Sequence, residues 1–150
     1  MSIGYACLNI GTPDTNIRSV MQRNATPEKL TEVTAHNLAA LEKMIDYNRK
    51  NDIKLFRISS DLIPFGSSPV NALPWWDIHA EAFQHIGATI RKSGMRVSFH
   101  PGQYTVLNSP AEDVVERAID DLIYHDKILT ALGADQTNKI VLHVGGIYGD

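Results

Sequence analysis

Short apolar, β-branched runs alternate along this chain with longer stretches of helical periodicity, and this alternation is its most restrictive feature. We expect strands at about residues 3–9, 54–60, 96–100 and 139–144. Strands joined by long crossover helices pair in parallel, because only a hairpin allows close antiparallel return. The pattern therefore predicts an α/β fold with a parallel sheet, either doubly wound or barrel-shaped.

Helix signals fill the gaps between these strands. Thr26 is suited to cap a helix, and Pro27 to occupy its first position, where a missing N–H costs nothing. We expect helices from about 26 to 51, from 75 to 92 before Gly94, and from 110 to 132 before Gly133. The sequence ends just after its fourth strand, and a (β/α)8 barrel needs roughly 250 residues. We therefore expect residues 1–150 to form one domain, the N-terminal half of a TIM-barrel-type fold with four β/α units, truncated after the fourth strand.

Composition limits the functional classes. The formal net charge is −3, whereas general nucleic-acid binders are usually basic. Bound divalent cations can reverse the charge of a site, so DNA is not excluded as a partner. The single cysteine, Cys7, excludes an internal disulfide framework and fits a reducing cytoplasm. No run is apolar enough to span a bilayer, and residues 1–11 lack the basic residues of a signal peptide. We expect a cytoplasmic protein.

Polar side chains fall at the C-terminal end of each predicted strand. They are Asn9, Ser59, His100 and His143. Ligands of parallel sheets and barrels bind at these strand ends. Strict alternation would also place Tyr5 on the same face of the first strand as Asn9. The sequence thus predicts a binding site at this edge of the sheet.

His100 and His143 are the strongest candidates for metal ligands. Neutral imidazole binds zinc, manganese or iron, and two rings on neighbouring strands can converge on one ion. Two ligands do not complete a site, since most sites use three or more. The alternative is a hydrogen-bonded pair of core histidines. The other histidines lie on predicted helices, where we expect solvated or helix-packed rings: His36, His79, His85 and His125.

Gln103 and Tyr104 lie in a loop that should project over the strand ends. An exposed tyrosine beside an amide can stack on an unpaired base and hydrogen-bond to it. The alternative is a tyrosine packed beneath the loop. Tyr5 and Asn9 are candidates for the same mouth, with interior packing of Tyr5 and a turn-forming role of Asn9 as alternatives.

Four segments resemble the UV damage endonuclease (UvdE) family: IGYAC at 3–7, FRISSDL at 56–62, FHPGQY at 99–104 and VLHVGG at 141–146. The resemblance extends over essentially the whole chain. It implies a TIM barrel related to endonuclease IV and xylose isomerase-like enzymes. It also implies incision of the DNA backbone immediately 5′ of UV photoproducts, with a cluster of divalent metals, often manganese, activating the water.

The same resemblance assigns roles to individual residues. His100 and His143 would be metal ligands, and Gln103 with Tyr104 would probe the duplex at the lesion. Tyr5 and Asn9 would contact the flipped dinucleotide. Ser68 stands where the family is expected to have histidine, and the remaining carboxylate and histidine ligands are expected in the second half of the barrel. We therefore expect this fragment to bind metal weakly and not to cleave DNA alone.

Two other functions remain open. A sugar isomerase or epimerase on a similar barrel would also use histidines at strand ends, but would not need Gln103 and Tyr104. A non-catalytic half barrel would instead associate through its unpaired sheet edges. In either case we expect a homo-oligomer, since open edges and an uncovered barrel interior favour association.

Overall fold

The computed structural model describes residues 2–148 and contains one four-stranded parallel sheet. The strands β1 (Gly4–Ala6), β2 (Leu55–Arg57), β3 (Arg96–Phe99) and β4 (Lys139–Ile140) lie side by side in chain order. In the register, Tyr5 lies opposite Phe56, and Phe56 lies opposite Val97. The predicted parallel α/β sheet is therefore confirmed.

Four α-helices connect the strands: α1 (Pro27–Lys50), α2 (Trp75–Ile78), α3 (Ala80–Ser93) and α4 (Glu112–Ala131). Thr26 caps α1 as predicted, because its side-chain oxygen accepts from the Lys29 N–H at 3.2 Å. Gly94 ends α3 with a left-handed φ of 66°. No helix among residues 2–148 is long and apolar enough to cross a membrane.

The second predicted helix is in fact two helices. His79 separates α2 from α3 with a non-helical φ of −111°. Trp75 at the start of α2 is buried against Phe83 of α3 and Tyr124 of α4. Tertiary packing of this indole fixes α2 at an orientation that a straight continuation of α3 would not reproduce, so continuous helical periodicity was misleading here.

The strands are shorter than predicted. Cys7 adopts a positive φ of 62°, which ends β1 after Ala6 although the Cys7 N–H still reaches the Arg57 carbonyl at 2.8 Å. At the other edge, the Val141 N–H donates to the Phe99 carbonyl at 2.9 Å, and residues 141–148 then run without regular structure. Local backbone geometry, which hydrophobic patterning does not report, sets these ends.

The core lies between the sheet and the helices. Phe56, Ile58, Val97 and Phe99 point into it and are buried, while the intervening Arg57 and Ser98 lie on the opposite, open face. The helices contribute the rest of the apolar cluster, including Leu38, Leu41, Met44, Ile45, Phe83, Ile86, Ile90 and Ile128. The predicted alternation is confirmed for β2 and β3.

Candidate functional site

The two predicted metal-ligand histidines lie next to each other. His100 directly follows β3, and its ring centroid is 4.6 Å from that of His143, with the planes at 67°. His100 is half-buried, and His143 is exposed. The predicted convergence is therefore observed, and the alternative of two core-buried histidines does not fit. Residues 2–148 contain no group of three or more His, Cys, Asp or Glu side chains placed to hold a metal.

The surroundings of His100 lower the pKa of its imidazole and so favour the neutral ring. Desolvation lowers its pKa most, and the neighbouring His143 ring and the Arg57 guanidinium lower it further. Arg57 lies on the open face of β2, opposite Ser98 of β3 in the register. A neutral imidazole keeps a nitrogen lone pair that can bind a cation, whereas a protonated imidazole does not. The surroundings of His100 therefore favour metal binding by its ring.

The loop after His100 presents two side chains at a tight turn. The Thr105 N–H donates to the Gly102 carbonyl at 3.0 Å, which closes a β-turn with Gln103 and Tyr104 at its central positions. We call residues 102–105 the tip turn. Tyr104 is 83% exposed, while Thr105 and the following Val106 are buried and fix the base of the turn. The alternative in which Tyr104 packs beneath its loop is therefore wrong.

A cavity of about 1140 Å³ connects these features. His143, Gln103 and Tyr104 line one part of it, and residues of α4 line another. The charged residues in its lining are Asp61, Asp121 and Arg117. Arg117 is already paired with Asp113 at 2.9 Å. The cavity thus joins His143 of the histidine pair to the exposed turn without a strongly basic wall.

A model of the family described as UV-endonuclease UvdE matches residues 2–150. This chain belongs to the UvdE family. It is 44% identical to a UV DNA damage endonuclease of Clostridium perfringens (strain 13 / Type A) over 150 residues, which cover 100% of this chain and 36% of the relative. It is 35% identical to the protein of the same name from Bacillus mycoides (strain KBAB4) over 130 residues, covering 87% of this chain and 41% of that one.

The fold also matches a solved member of the family. The structure titled "Crystal Structure of SacUVDE" superposes with a TM-score of 0.93 and 35% sequence identity. The match covers 97% of this chain and 50% of that one. The four β/α units are therefore a half barrel of the TIM-barrel type, as predicted. The chain spans less than half the length of these two curated relatives.

Tyr5 does not lie where the sequence placed it. The register aligns it with the buried Phe56, and the two ring centroids are 5.0 Å apart on the core side of the sheet. The expectation that Tyr5 shares a face with the polar strand ends is wrong, because strict alternation was counted across the left-handed residue Cys7. Asn9 is half-buried and donates its amide to the Tyr5 hydroxyl at 3.2 Å.

Asn9 also has the turn-forming role that was its alternative. Its carbonyl accepts from the Thr15 hydroxyl at 2.7 Å. Ser68, where the resemblance led us to expect histidine, takes part in a turn of its own, because its hydroxyl accepts from the Val70 N–H at 3.3 Å. A serine there supports the loop backbone but offers no imidazole.

Sequence reasoning missed a second polar cluster behind the site. Tyr124 and His125 of α4 are buried and bond to the turn that follows β2. The Tyr124 hydroxyl donates to the Ser60 carbonyl at 2.7 Å and accepts from the Ile63 N–H at 3.2 Å. His125 was expected to be solvated or helix-packed, and the structure shows it fully buried. Only its position within an apolar helical stripe hinted at this.

Proposed function

We propose that this chain is the lesion-recognising part of a DNA-repair endonuclease and contributes two imidazoles to its metal site. The proposed reaction is hydrolysis of the DNA backbone 5′ to UV photoproducts. One observation carries the proposal: the His100–His143 pair lies beside a cavity that also exposes Gln103 and Tyr104. Family membership supports a nuclease. In this arrangement the histidine pair would bind the metal, and Gln103 and Tyr104 would contact the lesion.

The histidine pair fits a divalent metal, with manganese as the expected ion. Two adjacent imidazoles, one of them favoured in its neutral form by its surroundings, match the donor set that such ions accept. The bound metal would supply Lewis-acid activation and charge neutralisation for phosphodiester hydrolysis. Two ligands are fewer than most sites use, so we propose that this chain alone binds metal weakly and does not incise DNA.

Lesion recognition would depend on the tip turn. The 83% exposed ring of Tyr104 is available to stack on a base, and the adjacent Gln103 amide can hydrogen-bond to a base edge. A crosslinked pyrimidine dimer stacks and pairs poorly, so its extrusion from the duplex costs less than that of normal bases. Damaged DNA would therefore open at the turn in preference to intact DNA.

Asn9 and Tyr5 would act together on the flipped dinucleotide. We propose that Asn9 contacts it through the side-chain amide. The Tyr5 hydroxyl, which accepts from that amide, would hold it in position from the core side of the sheet. This differs from two independent contacts, because removing the Tyr5 hydroxyl would act through the orientation of Asn9.

Binding to matched oligonucleotides tests the proposal. Fluorescence anisotropy with Mn2+ should show tighter binding of a UV-irradiated duplex than of the same duplex without irradiation. Tyr104→Ala should abolish this preference. Tyr47→Ala, at an exposed tyrosine of α1, is the matched control and should retain it. Equal binding of the two duplexes by the unaltered protein would refute lesion recognition.

Metal binding is tested separately, by the amount of free Mn2+ in an electron paramagnetic resonance titration. His100→Gln and His143→Gln should each weaken Mn2+ binding, whereas His85→Gln, at an exposed ring on α3, should not. A sugar isomerase or epimerase would share the metal result but would not lose DNA discrimination with Tyr104→Ala. Efficient incision of irradiated DNA by this chain with Mn2+ would contradict the expected inactivity.

A further inference from the structure

One face of α4 bonds to both loops that border the candidate site. Asp121, Tyr124 and His125 occupy positions i, i+3 and i+4, which place their side chains on the same side of a helix. Asp121 contacts the loop after β3, while Tyr124 and His125 contact the turn after β2. The helix therefore connects the loop that precedes it to a turn that lies 64 and 65 residues earlier in the chain.

Asp121 holds the end of the tip turn. The Thr105 hydroxyl donates to the Asp121 carboxylate at 2.7 Å, and Thr105 is only 7% exposed. The same threonine closes the turn through its N–H to the Gly102 carbonyl. A hydrogen bond to a charged acceptor in a poorly hydrated position is stronger than a neutral surface one. The orientation of Gln103 and Tyr104 is thus fixed directly from α4.

His125 contacts Ser60, whose hydroxyl lies beside the beginning of the same loop. His125 Nδ1 lies 2.6 Å from the Asp121 carbonyl, and Nε2 lies 2.9 Å from the Ser60 hydroxyl oxygen. That hydroxyl also lies 3.2 Å from the His100 carbonyl. Since a carbonyl only accepts, Nδ1 carries the proton of the neutral ring, and Nε2 is an acceptor. The Ser60 hydroxyl has one proton, which it donates either to Nε2 or to the His100 carbonyl.

We propose that Asp121 is a positioning residue that fixes the tip turn through Thr105 and thereby sets discrimination between damaged and intact DNA. The inference rests on the proposed function of Gln103 and Tyr104 as the lesion probe. A turn held at Thr105 from α4 presents its side chains at a lower entropic cost of ordering on binding. A loosened turn would adapt to intact and damaged duplexes alike, so selectivity would fall more than overall affinity.

The first test measures the turn itself by amide hydrogen exchange at residue 105, whose N–H closes the turn. Thr105→Val removes the hydroxyl and keeps the shape, whereas Thr105→Ser keeps the hydroxyl. We expect exchange about tenfold faster in the valine variant, since one lost hydrogen bond is worth roughly that factor. Exchange in the serine variant should stay near that of the unaltered protein. Equal exchange in the valine variant and the unaltered protein would overturn the proposal.

The second test measures the ratio of affinities for irradiated and intact duplexes. Thr105→Val and Asp121→Ala should reduce the ratio several-fold at a temperature where both variants stay folded, and Asp121→Asn should restore it because its amide oxygen still accepts from Thr105. Loss of affinity for both duplexes in equal proportion would overturn the positioning role. If the unaltered protein shows no preference while exchange still responds to Thr105→Val, the proposed lesion probe fails, and with it the role in discrimination.

Discussion

Replacing Tyr124 by phenylalanine isolates the contribution of one buried hydroxyl. Tyr124 is 3% exposed, and burial raises the pKa of its phenol, so the group is protonated at all ordinary pH values. The variant keeps the aromatic contacts with Trp75 and His125 but removes two hydrogen bonds. The Ile63 N–H then loses its acceptor in a buried position, whereas the half-buried Ser60 carbonyl can turn to water.

The magnitude follows from this asymmetry. An orphaned buried N–H costs about 1–3 kcal/mol, and a lost bond at a hydrated carbonyl costs about 0.5 kcal/mol or less. We expect the free energy of unfolding to fall by about 1–3.5 kcal/mol, or roughly 2–14 °C in melting temperature for a domain of this size. Urea unfolding monitored by circular dichroism measures this loss. Tyr47→Phe, at an exposed position of α1, is the control. A loss below about 0.5 kcal/mol for Tyr124→Phe would refute the reasoning.

Three further outcomes are expected. Burial lowers the pKa of His79 and His125, so on acidification the unfolded chain binds protons at a higher pH than the folded chain does. The free energy of unfolding should therefore fall as pH drops below about 6.5. Urea titrations at pH 7.5 and 5.5 that show no such fall would contradict this. Gly87→Ala should lower the free energy of unfolding by more than about 1 kcal/mol, the lower bound for overpacking, because the new Cβ would lie 1.9 Å from the Leu132 carbonyl oxygen. Thermal unfolding measures this, with Gly102→Ala as the control, since no atom lies within 4 Å of a Cβ added at Gly102. The exposed strand edges and apolar residues such as Val144 and Ile147 should produce concentration-dependent self-association in sedimentation, and a monomer at all concentrations would count against it.

The fold was largely accessible from the sequence because its signals are local. Hydrophobic periodicity separates helices from strands, and crossover connections force parallel pairing. Thr26 and Gly94 marked helix ends by capping chemistry that acts within a few residues. Periodicity carries no information on the positive φ of Cys7 or on the packing of Trp75, and it was at these positions that β1 and the second helix were assigned incorrectly.

The site was accessible only in part, for a related reason. His100 and His143 converge because parallel strands bring their C-terminal ends to one edge, a rule that needs no knowledge of side-chain packing. To predict the face on which Tyr5 lies, one must know which residues of β1 point toward the core. The positive φ of Cys7 interrupts the alternation, so the face of Tyr5 cannot be deduced from that of Asn9. The strand-end rule therefore identified His143 although it lies beyond the last residue of β4, whereas the face of Tyr5 depended on the phase of alternation within β1.

The α4 cluster shows what sequence patterning cannot reach. Tyr124 and His125 bond to Ser60, 64 and 65 residues earlier in the chain, and only the completed packing brings them together. Buried polar groups need partners, so a tyrosine and a histidine adjacent on an apolar helix face require polar groups on whatever packs there. In this chain those groups are the backbone and hydroxyl of the turn beside His100. The hydrogen bonds that satisfy the buried polar groups of α4 therefore also hold the turn beside the candidate site.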